Sequence, residues 1–144
     1  MIDVREVDGL VHHELLHYMN GFEPERFPQL ASRHFLDGFW WLAVEMDGNV
    51  AVGFAGMVPF FAASDGVGYF KRAYVLPQYR GRGIQRSFMR LRETKARELG
   101  YHLIVGECSN NPPSERNFLA EGFERFDPEQ PWGEAGSVYF RKRL

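Results

Sequence analysis

The sequence predicts a single α/β domain, and three observations predict it. Residues Tyr69 to Val75 are aromatic and β-branched types that suit a strand, and Pro77 removes a ladder donor after them. Gly81 and Gly83 then permit a sharp bend, and apolar residues recur at helical spacing from Ile84 onward. Second, hydrophobic runs at Phe39 to Met46 and Asn49 to Val58 flank Asp47-Gly48, a dipeptide suited to a tight hairpin. Third, a chain of 144 residues with 44% hydrophobic and 15% aromatic content can bury one core but not two, so residues 1–144 are expected to form one domain.

In chain order, Ile2, Val4 and Val7 predict an opening strand, and Asp8 is placed to cap a helix carrying Val11, Leu15, Tyr18 and Met19 up to Gly21. Pro24 suits the first turn of a second helix whose apolar face is Phe27, Leu30, Ala31, His34 and Phe35, ending at Gly38. The hairpin follows. Gly53 and Gly56 inside its second strand mark a bulge, a close backbone approach or, as is commoner, loose strand packing. Phe60 to Gly66 is a turn whose aromatics either line a pocket or fill the core, and the core is the reading taken.

The central helix is read with Ile84, Phe88, Leu91 and Leu99 on its apolar face, with arginines including Arg92 between them, and with a stop at Gly100. Tyr101 to Gly106 predicts another strand. Glu107 to Pro113 then leaves the sheet for a short helix from Ser114 to Glu121, closed by Gly122-Phe123. Val138 to Lys142 predicts a terminal strand that pairs with Phe123 to Phe126. The loop between them carries Pro128, Pro131, Trp132 and Gly133 and is expected to be mobile or to face substrate.

Charge is unevenly shared. Residues 1–70 carry three basic and ten acidic side chains, a balance of -7, whereas residues 71–144 carry fourteen and nine, a balance of +5. Between Lys71 and Arg97 there are nine Lys or Arg and one acid, Glu93. A helix that starts at a glycine bend offers unpaired N–H groups and the positive end of its dipole, so this basic segment suits a phosphate-bearing small molecule. The acidic half is then free to face an amine. Nucleic acid is disfavoured because the basic residues are local and the pI is about 6.2.

The segment YVLPQYRGRG, with Gln78-x-x-Gly81-x-Gly83 after Val75-x-Pro77, resembles the pyrophosphate loop of the GNAT superfamily of N-acetyltransferases. The resemblance implies a mixed, mostly antiparallel sheet of six or seven strands with about four helices. It also implies acetyl-CoA as cosubstrate, with its pyrophosphate on the amides of Arg80, Gly81, Arg82, Gly83, Ile84 and Gln85. By the same resemblance the Ala73 N–H stabilises charge developing on the thioester oxygen, Tyr74 and Val75 border the pantetheine arm with Val75 pairing to it, and Asn111 helps fix that arm. Arg82 or Arg86 is expected to reach the outer phosphates. Counting back from Gly122 sets Phe118 where the family has the tyrosine that protonates the departing thiolate, and a phenyl ring cannot donate a proton.

Acetyl transfer to an amine also needs a base. Glu107 at its strand end is the first candidate, acting directly or through water, with Tyr139, Cys108 or water as substitutes for the missing acid. Two other function classes remain open. His13-Glu14-x-x-His17 is a literal zincin signature that would make the chain a zinc hydrolase, although a third ligand at metzincin spacing is missing and no metal is expected. Phe118 also suits a protein that binds CoA as a sensor without turning it over. The lone Cys108 excludes an internal disulfide and fits a reducing compartment. The N-terminus lacks the pattern of a secretory signal, so a cytoplasmic protein is expected. Its expected partners are a small-molecule or peptide amine, neither nucleic acid nor membrane, with a homodimer left open.

Overall fold

The computed structural model describes residues 1–144. Its elements run β1 (Ile2–Val7), α1 (His13–Asn20), α2 (Ser32–Asp37), β2 (Phe39–Glu45), β3 (Val50–Pro59), β4 (Val67–Val75), α3 (Ile84–Glu98), β5 (Leu103–Ser109), α4 (Pro112–Ala120), β6 (Glu124–Phe126) and β7 (Ser137–Arg143). One seven-stranded sheet has the order β1-β2-β3-β4-β5-β7-β6. Every neighbouring pair is antiparallel except β4 and β5. No helix is long and apolar enough to cross a membrane.

Each face of the sheet carries its own core. Trp41, Met57, Phe70, Val75, Ile104 and Phe140 pack with Ile84 and Phe88 of α3 and Phe118 of α4. On the other face, Trp40, Leu42, Phe54 and Tyr74 pack with Leu16 and Met19 of α1 and Phe35 of α2. Alternating strand side chains supply both cores, as the period of two requires.

The parallel pair is what opens the sheet. β4 and β5 are in register only from Val67 to Tyr69 against Leu103 to Val105. From Phe70 to Val75 that edge of β4 has no strand partner, so its outward amides and carbonyls are left for something else. Just beyond the point of parting, β4 carries a bulge. Ala55 faces Ala73 and Gly56 faces Lys71, which leaves Arg72 as the extra residue with φ +65°. The glycine expectation in β3 resolves here as close approach, because a Cβ at Gly56 would stand 2.6 Å from the Trp40 ring.

Arg92 explains why the bulge holds. It is only 3% exposed, its Nη1 donates to Gly56 O at 3.2 Å and to Arg72 O at 3.3 Å, and its guanidinium lies 3.9 Å from the centre of the Phe70 ring. Burial pulls its pKa down to about 9, so it is still charged at neutral pH. The expected apolar stripe of α3 is corrected accordingly. Ile84, Phe88, Met89, Arg92 and Ala96 are buried, whereas Leu91 and Leu99 are 36% and 40% exposed. Arg92 lies one turn past Phe88 on the inward stripe, and carbonyls at the bulge satisfy it there. Replacing it with methionine would leave the Gly56 and Arg72 carbonyls without their donor. Arg92→Met is therefore expected to lower unfolding stability by about 1–3 kcal/mol, read as a lower urea midpoint at constant slope.

Other boundaries also move. Asp8 Oδ1 accepts from Leu10 and Val11 N–H in a turn, and α1 starts only at His13, so Val11 is exposed outside it. The second helix does not begin at Pro24. Pro28 restricts the residue before it, and α2 forms only from Ser32. β5 runs on to Ser109, keeping Glu107 and Cys108 in the sheet, because β7 pairs with it over its whole length.

Candidate active site

The bend after β4 builds the first part of the site. Gly81 and Gly83 both have left-handed φ, +77° and +81°, and Gly83 caps α3. None of the amides from Gly81 to Arg86 donates within the chain; the first N–H to find a partner is that of Ser87, on Gly83 O. They are donors in a row at the positive end of a fifteen-residue helix. A Cβ at Gly81 or Gly83 would meet nothing within 4 Å, so glycine is required there by backbone conformation, and the space above it is open to a ligand. Arg80 N–H is not one of the free donors, since it bonds Pro77 O at 3.2 Å.

The arginines around the bend divide. Arg80 donates from Nε to Val75 O at 2.9 Å and stacks over Tyr74, and Arg82 lies over Tyr79 with a bond to Gln78 O. Neither has a carboxylate partner, whereas Arg86 and Arg90 both bind Glu121, at 3.2 and 2.8 Å. Of the two arginines expected near the outer phosphates, Arg86 is therefore held by an acid from α4's end and Arg82 is not. Ala73 and Val75 lie on the unpaired stretch of β4, with Val75's side chain in the core and that of Tyr74 turned to the α1 and α2 face against Phe22 and Phe27. Ile84 is buried beneath the bend and Gln85 is half-buried beside it.

Where β4 and β5 part, two side chains meet that the sequence keeps far apart. Tyr69 Oη donates to Glu107 Oε1. Burial raises the Glu107 carboxyl above its usual range, while Tyr69, Lys71 and Arg72 pull it the other way. Burial and the Glu107 charge also raise the Tyr69 phenol. Glu107 Oε2 and Trp132 Nε1 are buried without any partner. Such orphans mark a site or a bridging water. Trp132 packs edge-on against Phe60, 4.7 Å between ring centres, and against Tyr139, 4.5 Å. The loop after β6 lies so close that a Cβ at Gly133 would stand 2.5 Å from Glu107 Oε2. Phe60 belongs to this aromatic wall and not to either core. Tyr69 was missed in sequence because a tyrosine in an aromatic strand gives no local signal of its partner.

Placement corrects the expectation at Tyr139 and shows what holds Phe118, Asn111 and Cys108. Tyr139 Oη accepts the Gly133 N–H at 3.0 Å on β7, with β5 between it and the opening, so it anchors the loop and is not placed to protonate a thiolate. Phe118 stacks on Phe140 at 4.7 Å and lies under Gly106, inside the core, because its ring has no polar group to hold it at the surface. Asn111 caps α4 by accepting the Ser114 N–H at 3.2 Å, which leaves its amide nitrogen and the second lone pair of Oδ1 for a ligand. Cys108 is half-buried with its thiol pushed up to about 11 by burial, which opposes a thiolate.

The histidine pair on α1 gathers no third His, Cys, Asp or Glu. The His17 ring packs 4.8 Å from that of Phe35. A cleft of about 360 Å³ lies beside it, lined by His17, Asn20, Gly21, Pro24, Phe27, Pro28 and Gln29. The cleft sits on the same face of the sheet as Glu107.

Residues 8–123 match the sequence family described as the acetyltransferase (GNAT) family. The chain belongs to that GNAT family. This membership makes it an acyltransferase and supports binding of CoA. Solved structures share the fold. One from Salmonella typhimurium, yncA with its cofactor acetyl-CoA, has a TM-score of 0.78 at 17% identity, with 100% of this chain and 94% of that one covered. The GNAT domain of S. lividans PAT has a TM-score of 0.76 at 18% identity over 98% and 89%. An acyl-CoA N-acyltransferase structure from Klebsiella pneumoniae has 0.69 at 20% identity over 100% and 98%. No curated protein matches the sequence.

Proposed function

We propose that this GNAT protein moves an acetyl group from acetyl-CoA directly to a primary amine. The observation that carries the reading is the run of unpartnered amides from Gly81 to Arg86 beside the unpaired stretch of β4. Those amides and Arg82 fit a pyrophosphate, and the Phe70 to Val75 edge fits an extended amide-bearing arm that adds to the sheet like a short strand. Bound there, acetyl-CoA supplies a thioester whose C–S bond breaks as the new C–N bond forms.

The remaining work falls to this chain's side chains. Glu107 takes the proton lost by the amine, either at Oε2 or through the Tyr69 hydroxyl that already donates to Oε1. Its raised pKa makes it a better base than an exposed carboxylate. No hydroxyl takes the place of the family tyrosine at Phe118, so the thiolate leaves unassisted or with a proton from water. A thiolate tolerates that better than an alkoxide, because the thiol pKa is near 8.5.

Calorimetry with acetyl-CoA, followed by a thiol-release assay over a panel of primary amines, tests this. Heat with amine-dependent thiol release is expected. Heat without thiol release would mean CoA binding alone, and no heat would remove the assignment of the bend.

A further inference from the structure

Resting on that reading, we propose that the acceptor amine carries its own oxyanion, a carboxylate or a phosphate a few bonds from the nitrogen, and that Lys71 with Arg33 binds it. The face of the sheet that presents Glu107 also carries a group of cations, although residues 1–70 hold ten acids against three bases. Three cations gather there: Lys71 and Arg72 of β4, and the exposed Arg33 of α2, the helix that the Trp40 Nε1–His34 O bond holds to this face and whose arginine charge acts on Lys71. None of them forms an ion pair with a carboxylate. Arg5, Arg86, Arg90, Lys95, Arg97, Arg141 and Lys142 are paired, while the other unpaired arginines lie away from this cluster or, like Arg80, Arg82 and Arg92, are held by carbonyls.

Their geometry separates two roles. Arg72 is committed to structure: Nε donates to Asn20 Oδ1 and Nη2 to Pro28 O, both at 2.9 Å, and its guanidinium lies 5.2 Å from the Phe27 ring centre. Asn20, Phe27 and Pro28 all line the 360 Å³ cleft, so Arg72 braces its wall from behind. Lys71 and Arg33 have no hydrogen-bond acceptor at all. The Lys71 ammonium lies 5.8 Å from the centre of the ring of Tyr69, the residue bonded to Glu107.

The fields agree with the geometry. Lys71 is pulled below the usual lysine range by burial first, then by Arg72 and Arg33, with Glu107 opposing. His34 is lowered to about 4 by burial and then by Lys71, Arg33 and Arg72, so it adds no charge at neutral pH, and its Nδ1 accepts the Ala31 N–H. At Glu107 the charge of Glu134 counts for less than those of Lys71 and Arg72. A half-buried lysine beside other cations is stabilised by an anion supplied with the ligand. A purely cationic acceptor, such as a simple alkylamine, meets repulsion from the same cluster. A zwitterion satisfies both ends, its ammonium toward Glu107 and its oxyanion toward Lys71 and Arg33.

Two matched pairs test this: L-phenylalanine against phenethylamine, and O-phosphoethanolamine against ethanolamine. In at least one pair the anionic member should show a kcat/KM at least 10-fold higher, and the pair that responds identifies carboxylate or phosphate. Measured at a pH above the acid limb of Glu107, Lys71→Met with Arg33→Ser should erase that preference mainly through KM, and Lys71→Arg should restore most of it. The member without the oxyanion matching its partner in both pairs would overturn the proposal, as would a preference that survives the double substitution. If CoA binds but no acetyl transfer is detected, calorimetry with the same four compounds on the CoA complex decides: no stronger heat for an anionic member overturns the proposal. If CoA itself gives no heat, the transferase reading fails separately, and the same titrations on the free protein judge the anion site by the same criterion.

Discussion

Replacing Glu107 with glutamine is expected to lower kcat for amine acetylation about 100-fold or more, within the usual range for loss of a general base. The substitution keeps shape and the acceptor for the Tyr69 hydroxyl, so acetyl-CoA affinity should stay within about twofold. The pH profile gives a sharper reading. Burial raises the Glu107 carboxyl, and the base form is the deprotonated one. Activity should therefore be full above that raised pKa and fall as the pH drops through it. In Glu107→Gln this acid limb should vanish together with the rate. A variant that keeps both the rate and the limb would show that the proton leaves by another route, and Tyr69→Phe would then be the informative variant.

Gly83→Val should weaken acetyl-CoA binding about 100-fold or more, near 3 kcal/mol on the affinity scale. Two effects combine. A β-branched residue resists φ +81°, so the bend and the donors it aims would shift. Its side chain would also occupy the open space over those donors, where nothing of the protein now stands within 4 Å. Gly100 supplies the control, because it has φ +77° and equally empty surroundings but ends α3 at the opposite pole. Gly100→Val should cost a similar amount of stability by thermal melting and leave acetyl-CoA affinity unchanged in calorimetry. Equal loss of affinity in both variants would trace the effect to general destabilisation and not to the bend.

Much of this was legible one residue at a time. Gly81 and Gly83 are local statements about φ, Asp47-Gly48 is a local statement about a turn, and the alternation in the strands needs no partner to be read. The helix periodicity was legible too, but its charge was misread: at Arg92 a polar residue occupies the inward stripe. Hydropathy alone cannot foresee that carbonyls freed at a distant bulge will satisfy a guanidinium. The candidate base was visible as a strand-end glutamate, whereas its partner was not, since Tyr69 and Glu107 are 38 residues apart and meet only through the register of β4 against β5. Phe118 was read as a departure from the family tyrosine, and packing against Phe140 then settled where its ring goes.

By itself the sequence determined the glycine bend, the helix that follows it, the hairpins and the family resemblance they carry. These depend on backbone dihedrals and on spacing between near neighbours, which a linear chain already records. Tertiary structure alone decided where β4 leaves β5, which acid lies beside which tyrosine, and that Lys71, Arg33 and Arg72 share one face. Those are facts of register and burial, and they exist only once strands from opposite parts of the chain lie side by side and water is excluded between them.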